Sequence, residues 1–196
     1  MADVVLFHHL LGVTDGLRGL ADQLRSGGHT VHTPDLFDGE RPATLDEGFA
    51  LTKRIGSEVL RERADRAVAE LPDGLVYGGF SWGAATAQRL AQTRPGVRGA
   101  LLYESCLPVT GEWAVGPWPA GVPVQIHGMD ADPFFALEGD IEAARELVGI
   151  AGPDLGELFV YPGAQHLFTD STLPSYDAAA TALVLRRSRE FLDRLR

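Results

Sequence analysis

The sequence predicts an α/β fold, a mostly parallel sheet of about six or seven strands with helices on both faces. Three observations carry that expectation. Short apolar runs of strand type alternate along the chain with longer segments whose apolar residues recur every three or four positions. The strand-type runs are apolar almost throughout, as strands covered on both faces must be. The chain has 196 residues, 45% of them hydrophobic, and at that size folding buries about 70% of the unfolded surface. One domain spanning residues 1–196 is therefore expected, with no insertion long enough for a separate lid domain.

Taken in order, Val4-Val5-Leu6-Phe7-His8 reads as a buried strand followed by a turn at Gly12–Gly16. Leu17, Leu20, Ala21 and Leu24 give helical spacing over 15–26, and Gly27-Gly28 supplies its stop. Thr30-Val31-His32-Thr33 is a second strand, halted by Pro34. A loop over 38–46 leads into one long helix predicted from about 47 to 70. Leu75–Gly79 is a third strand and 82–93 a helix. Ala100–Tyr103 and Val122–Ile126 are the fourth and fifth strands, with Pro123 near the start of the fifth, where a missing donor matters least. A helix near 139–150, a strand at Leu158–Tyr161 and a helix near 176–195 complete the pattern.

The chain carries 27 acidic against 17 basic residues, a net charge of −10. So acidic a surface repels phosphate backbones and anionic membranes, so neither nucleic acid nor membrane is an expected partner. No apolar run approaches the ~18 residues of a membrane span. Met1-Ala2-Asp3 leads directly into the first strand without a basic targeting segment, so a cytoplasmic location is expected. Cys106 is the only cysteine, which rules out an intramolecular disulfide and a CxxC site. It reads as a small buried hydrophobe. Neither the dinucleotide glycine pattern nor a P-loop occurs, so no cofactor is expected.

In parallel sheets, chemistry collects at the carboxyl ends of the strands, and the reactive residues of this chain stand there. Gly79-Phe80-Ser81-Trp82-Gly83 fits G-x-S-x-G between a strand and a helix. A serine on so tight a turn tolerates only small neighbours two positions away, and it projects its hydroxyl above the sheet. The helix N-terminus behind it aims backbone N–H groups at any oxyanion that forms. A serine needs a base, and the base needs a carboxylate to orient it. His166 follows the strand Leu158–Tyr161 and is the expected base. Asp132, in Asp130-Ala131-Asp132-Pro133, is the preferred acid; Asp130 and Glu104 are the alternatives. His8 and His9 are adjacent in an extended segment and point to opposite sides, so they make a poor metal pair, and no metal site is expected. His9, Trp113, Trp118, Phe134 and Phe168 are candidate pocket residues beside this centre.

The chain resembles the dienelactone hydrolase family of the α/β-hydrolase superfamily over essentially its whole length. Phe7-His8-His9-Leu10-Leu11-Gly12, Thr33-Pro34-Asp35-Leu36-Phe37, the turn around Ser81, Asp132-Pro133-Phe134, Tyr161–Phe168 and Tyr176-Asp177 carry the resemblance. It implies an α/β-hydrolase fold, a triad at Ser81, Asp132 and His166, and an oxyanion hole from the Leu10 and Trp82 backbone N–H groups. It also implies a small-molecule substrate. The family's nucleophile is typically cysteine, restrained by a glutamate after the first strand; Ser81 and His9 stand at those positions here. Where the family commonly has an arginine for a substrate carboxylate, this chain has Asp170, which argues against an anionic dienelactone. The expected activity is hydrolysis of a carboxylic ester, lactone or thioester through an acyl-enzyme. An acyltransferase with the same triad and a non-catalytic binding protein are the alternatives.

Overall fold

A computed structural model describes residues 1–112 and 114–195. The sheet is built from β1 (Asp3–Phe7), β2 (Thr30–His32), β3 (Leu75–Phe80), β4 (Gly99–Tyr103), β5 (Val124–Met129) and β6 (Gly156–Tyr161). Their spatial order is β2-β1-β3-β4-β5-β6, and every neighbouring pair is parallel. The helices are α1 (Asp15–Ser26), α2 (Leu45–Ile55), α3 (Ser57–Ala69), α4 (Trp82–Thr93), α5 (Asp140–Ala151) and α6 (Ala178–Arg194).

The period of two along each strand divides the core in half. Val4 and Leu6 face Leu17, Leu20 and Leu24 of α1 and Val184 and Phe191 of α6. Val5 and Phe7 face the opposite layer, with Leu60 and Ala64 of α3, Ala87 and Leu90 of α4, and Ile141 and Leu147 of α5. β1, β3, β4 and β5 are almost wholly buried, whereas the edge strand β6 is mostly half-exposed. Helices α1, α2 and α6 start at side chains that accept a first-turn amide: Thr14 accepts from Leu17, Thr44 from Glu47 and Asp177 from Ala180.

Two elements differ most from the sequence reading. The single helix expected over 47–70 is two helices, broken at Gly56, whose φ of 93° is open to glycine and strained for other residues. The apolar spacing runs on across that break, so periodicity alone misses it. The fifth strand begins after Pro123 and continues through Gly128 to Met129. A glycine reads as a turn, but Gly128 lies in the strand because the Phe135 ring packs where its side chain would be.

Chain order reverses direction in space between β1 and β3, the adjacent strands from which connections depart to opposite sides. The carboxyl ends of these two strands therefore open a crevice, the location where ligands bind in open α/β sheets.

Candidate active site

Ser81 follows β3 at that crevice. Its backbone lies at φ 50° and ψ −118°, a costly conformation for a residue with a side chain. It is held from both sides: its amide donates to the Tyr103 carbonyl at 2.7 Å, and its carbonyl accepts from Ala84 at 2.8 Å. Gly79 and Gly83 are required by contact. A side chain on Gly79 would strike the Gly83 carbonyl, and one on Gly83 would strike the carbonyls of Phe7 and His8. Helix α4 thus sits directly on the end of β1.

Asp132 and His166 arrive from the ends of β5 and β6. Asp132 is fully buried; its Oδ1 accepts from the amides of Phe134 at 2.9 Å and Phe135 at 3.3 Å. The other oxygen, Oδ2, lies 2.8 Å from His166 Nδ1. A carboxylate only accepts, so Nδ1 carries the proton, and Nε2 of the neutral ring is left to accept. Ser81 Oγ stands 2.7 Å from that Nε2 and donates to it. Burial alone would lower the His166 pKa. The hydrogen bond to Asp132 and the charges of Glu104, Asp132 and Asp140 outweigh it, so the ring titrates above its ordinary value.

The two alternative acids have other places. Asp130 is exposed and accepts from the Gly163 amide at 2.9 Å, which ties the end of β5 to the loop that leads to His166. Glu104, after β4, is fully buried near the histidine but does not bond its ring. Its Oε1 accepts from Thr169 at 3.4 Å, and among the described residues its Oε2 meets no hydrogen-bond partner. Burial pushes its pKa up to about 7, against the opposing pull of His166. Ser81, Glu104 and Leu167 are three of the four described non-glycine residues at positive φ, so backbone strain concentrates around this centre.

A small cleft of about 160 Å³ opens at Ser81, walled by Leu10, Trp82 and Phe134 together with Phe49, Glu138 and Asp140. Among the described residues, neither the Leu10 nor the Trp82 amide has a backbone acceptor outside its own element. Sequence reasoning had not singled out Phe49, which lies on α2. Only the packing of Gly48 on the Leu10 backbone brings it here, and an isolated apolar residue on a helix carries no such signal.

The candidate pocket residues divide. Phe134 lines the cleft, its ring centroid 4.6 Å from that of His166. Trp118 and Phe168 do not line it. Trp118 donates from its indole to the Val122 carbonyl at 2.9 Å and packs in the core beside α4 and α5. Phe168 is fully buried against Tyr161 in the opposite layer. Loop aromatics here found more apolar area to cover inside the molecule than at the cleft. Trp113 lies outside the described residues.

His9 is also buried rather than lining. It donates from Nε2 to Asp170 Oδ2 at 3.0 Å and accepts the Leu11 amide on Nδ1 at 3.2 Å. Asp170 is 3% exposed and accepts from Thr14 and twice from Thr172. Burial would raise its pKa, but these donors hold it well below the usual carboxylate range. Asp170 is thus a satisfied internal acceptor that presents no charge to the cleft, and it argues neither for nor against an anionic substrate. His8 turns the other way, accepting the Leu36 amide on Nε2, and burial lowers its pKa to about 4. Cys106 is buried and burial pushes its thiol up, which leaves it a poor nucleophile.

Comparison with known proteins follows the same lines. A promiscuous phosphotriesterase described as dienelactone hydrolase-like, P91 from metagenomic libraries, superposes with a TM-score of 0.75 at 20% identity, covering 100% of this chain and 87% of that one. A dienelactone hydrolase described as putative, from Klebsiella pneumoniae, gives 0.72 at 19% identity over 98% and 87%. Esterase 2 of Thermogutta terrifontis, phosphonylated by sarin, gives 0.65 at 16% identity over 99% and 84%. No curated protein matches the chain. The model of the dienelactone hydrolase family matches residues 1–195, and the chain belongs to that family of α/β hydrolases, enzymes acting on ester bonds.

Proposed function

We propose that the chain is a serine hydrolase that cleaves a carboxylic ester, lactone or thioester of a small substrate through an acyl-enzyme. The observation that carries this reading is the unbroken series Ser81 Oγ to His166 Nε2 at 2.7 Å and His166 Nδ1 to Asp132 at 2.8 Å. Ser81 Oγ attacks the carbonyl carbon as Nε2 takes its proton. Asp132 holds the ring in the required tautomer and stabilises the imidazolium. The Leu10 and Trp82 amides receive the oxyanion, each worth on the order of 3 kcal/mol in comparable sites. The tetrahedral intermediate collapses, the carbonyl-to-leaving-group bond breaks, and Nε2 returns the proton to the departing oxygen or sulfur. Water then attacks the acyl-enzyme with His166 again as base, releasing the acid and restoring Ser81.

Serine at the elbow needs no thiolate restraint, which fits the presence of His9, bound to Asp170, in place of a glutamate near the nucleophile. No described helix is long and apolar enough to cross a membrane, and the one cysteine is a buried free thiol. Action on a dissolved substrate in the cytoplasm belongs to the same proposal.

The test is intact-protein mass spectrometry after incubation with a fluorophosphonate, on wild type beside Ser81→Ala. The phosphonylated Thermogutta esterase supports the choice of probe. One adduct on wild type and none on the variant is expected. An unlabelled, folded wild type would sink the reading, and an adduct that persists in the variant would move the nucleophile elsewhere.

A further inference from the structure

The cleft at Ser81 continues into a larger groove, and the two differ in charge. Phe49 and Trp82 line both. Close to Ser81 the charged groups are carboxyls only, Glu104, Glu138 and Asp140. Beyond Phe49 and Trp82 the groove widens to about 1020 Å³ between the α2–α3 turn and α4. Its floor is one face of α4, where Trp82, Ala85 and Arg89 recur at helical spacing, and Phe49, Lys53 and Leu60 stand across from it. Among the described residues no carboxyl lines this part, whereas Lys53, Arg61 and Arg89 all do. In a chain of net charge −10 whose only lysine is Lys53, that separation is not what a uniformly solvated surface gives.

Arg89 is neutralised by Asp65 at 2.8 Å. Lys53 and Arg61 form no ion pair among the described residues. Phe49 and Val115 leave 50% and 41% of their area exposed along the same groove, apolar surface that a ligand would cover. Glu58, Glu62 and Asp65 share α3 with Arg61, but none of these three residues lines the groove. From Trp82 to Arg89 the helix rises about 10 Å, enough for an extended chain of several methylene groups.

We propose that this groove holds an apolar arm of the substrate and that Lys53 and Arg61 bind an anion at the arm's far end. The favoured substrates are esters or thioesters with an anion-terminated arm of medium length. The inference rests on Ser81 being the nucleophile and adds which substrates reach it. Carboxyls near the scissile bond and cations at the far end fix one orientation, and the anion stays clear of Glu104, Glu138 and Asp140.

The test compares p-nitrophenyl hydrogen suberate with its neutral methyl ester, and 8-acetoxyoctanoate with its methyl ester, so that the arm is tried on the acyl and on the alcohol side. In at least one pair the charged substrate is expected to have about fivefold higher kcat/KM, the yield of two exposed ion pairs. That ratio should approach one in Lys53→Gln/Arg61→Gln and fall below one in Lys53→Glu/Arg61→Glu. Ratios near one in wild type for both pairs, or a ratio unchanged in the double variants, would overturn the proposal. Calorimetric binding of monomethyl suberate against dimethyl suberate decides the groove independently of turnover. About fivefold tighter binding of the monoanion, lost in the Gln double variant, supports it even if no ester is cleaved, in which case only the hydrolase reading fails. Equal binding of the two overturns it.

Discussion

Among the described residues two histidine–carboxylate pairs are buried on both sides, and they are wired oppositely. His166 meets Asp132 at 2.8 Å and His9 meets Asp170 at 3.0 Å. In both, one ring nitrogen faces a carboxylate oxygen that is nearly or wholly inaccessible to water. The difference lies at the second nitrogen. His9 spends it on the Leu11 backbone amide, so the ring is satisfied on both sides and faces no hydroxyl. His166 turns it to a hydroxyl in a cleft. The carboxylates differ in the same sense: Asp170 gathers donors from Thr14 and Thr172 on top of His9, and these hydroxyls weld the start of α1 to the loop after His166. A histidine–carboxylate pair is therefore not a catalytic signature in itself; the group facing the remaining nitrogen decides.

Exchanging each carboxylate for an amide should separate the two pairs. Asp132→Asn removes the acceptor that fixes the tautomer of His166, and kcat is expected to fall about 10⁴-fold, with a much smaller change in stability, measured by ester hydrolysis and denaturant unfolding. Asp170→Asn should reverse that profile. It leaves buried donors without a charged acceptor and is expected to cost about 2–3 kcal/mol of stability, with kcat changed tenfold or less. Equal profiles for the two variants would break the distinction.

A further effect concerns pH. Activity should rise as His166 loses its proton, and because its pKa is raised the midpoint is expected above pH 6.5 in a kcat/KM profile. Glu104 contributes to that rise when ionised. Glu104→Gln should therefore shift the midpoint to lower pH. The same substitution has a stability counterpart whose sign is set by the raised carboxyl. The folded state holds the Glu104 proton more tightly than the unfolded chain, so its contribution is fully present below pH 4.5 and is lost as pH rises to about 7. That loss is about 3 kcal/mol. Urea unfolding of wild type and variant at pH 4 and pH 8 should show the variant gaining by roughly that amount at the higher pH.

Much of this arrangement is legible in the residues because it is imposed locally. Gly79 and Gly83 flank Ser81 for a steric reason that any strand-to-helix turn of this kind shares, and the helices over 15–26 and 82–93 follow from apolar spacing. The order of Ser81, Asp132 and His166 after their strands is readable for the same reason. What could not be read is tertiary. Whether an aromatic in a loop turns to the cleft, as Phe134 does, or inward, as Trp118 and Phe168 do, depends on empty space that no neighbour in sequence reports. Asp170 carries the same letter whether it faces substrate or is enclosed by His9 and two threonines. The choice of Asp132 over Asp130 turns on which of the two residues flanking Ala131 projects toward His166 in the turn after β5.

The contact of Gly83 with the ends of Phe7 and His8 has a mechanical meaning. The Leu10 and Trp82 amides belong to two segments pressed together where a single methyl group would not fit, each continuing from a strand deep in a parallel ladder. Their spacing is therefore as stiff as the sheet itself, and it can breathe only if neighbouring strands slide. In the proposed mechanism an oxyanion forming between them would meet a gauge already set to size, and a methyl group at position 83 would strike the Phe7 and His8 carbonyls and reset that gauge.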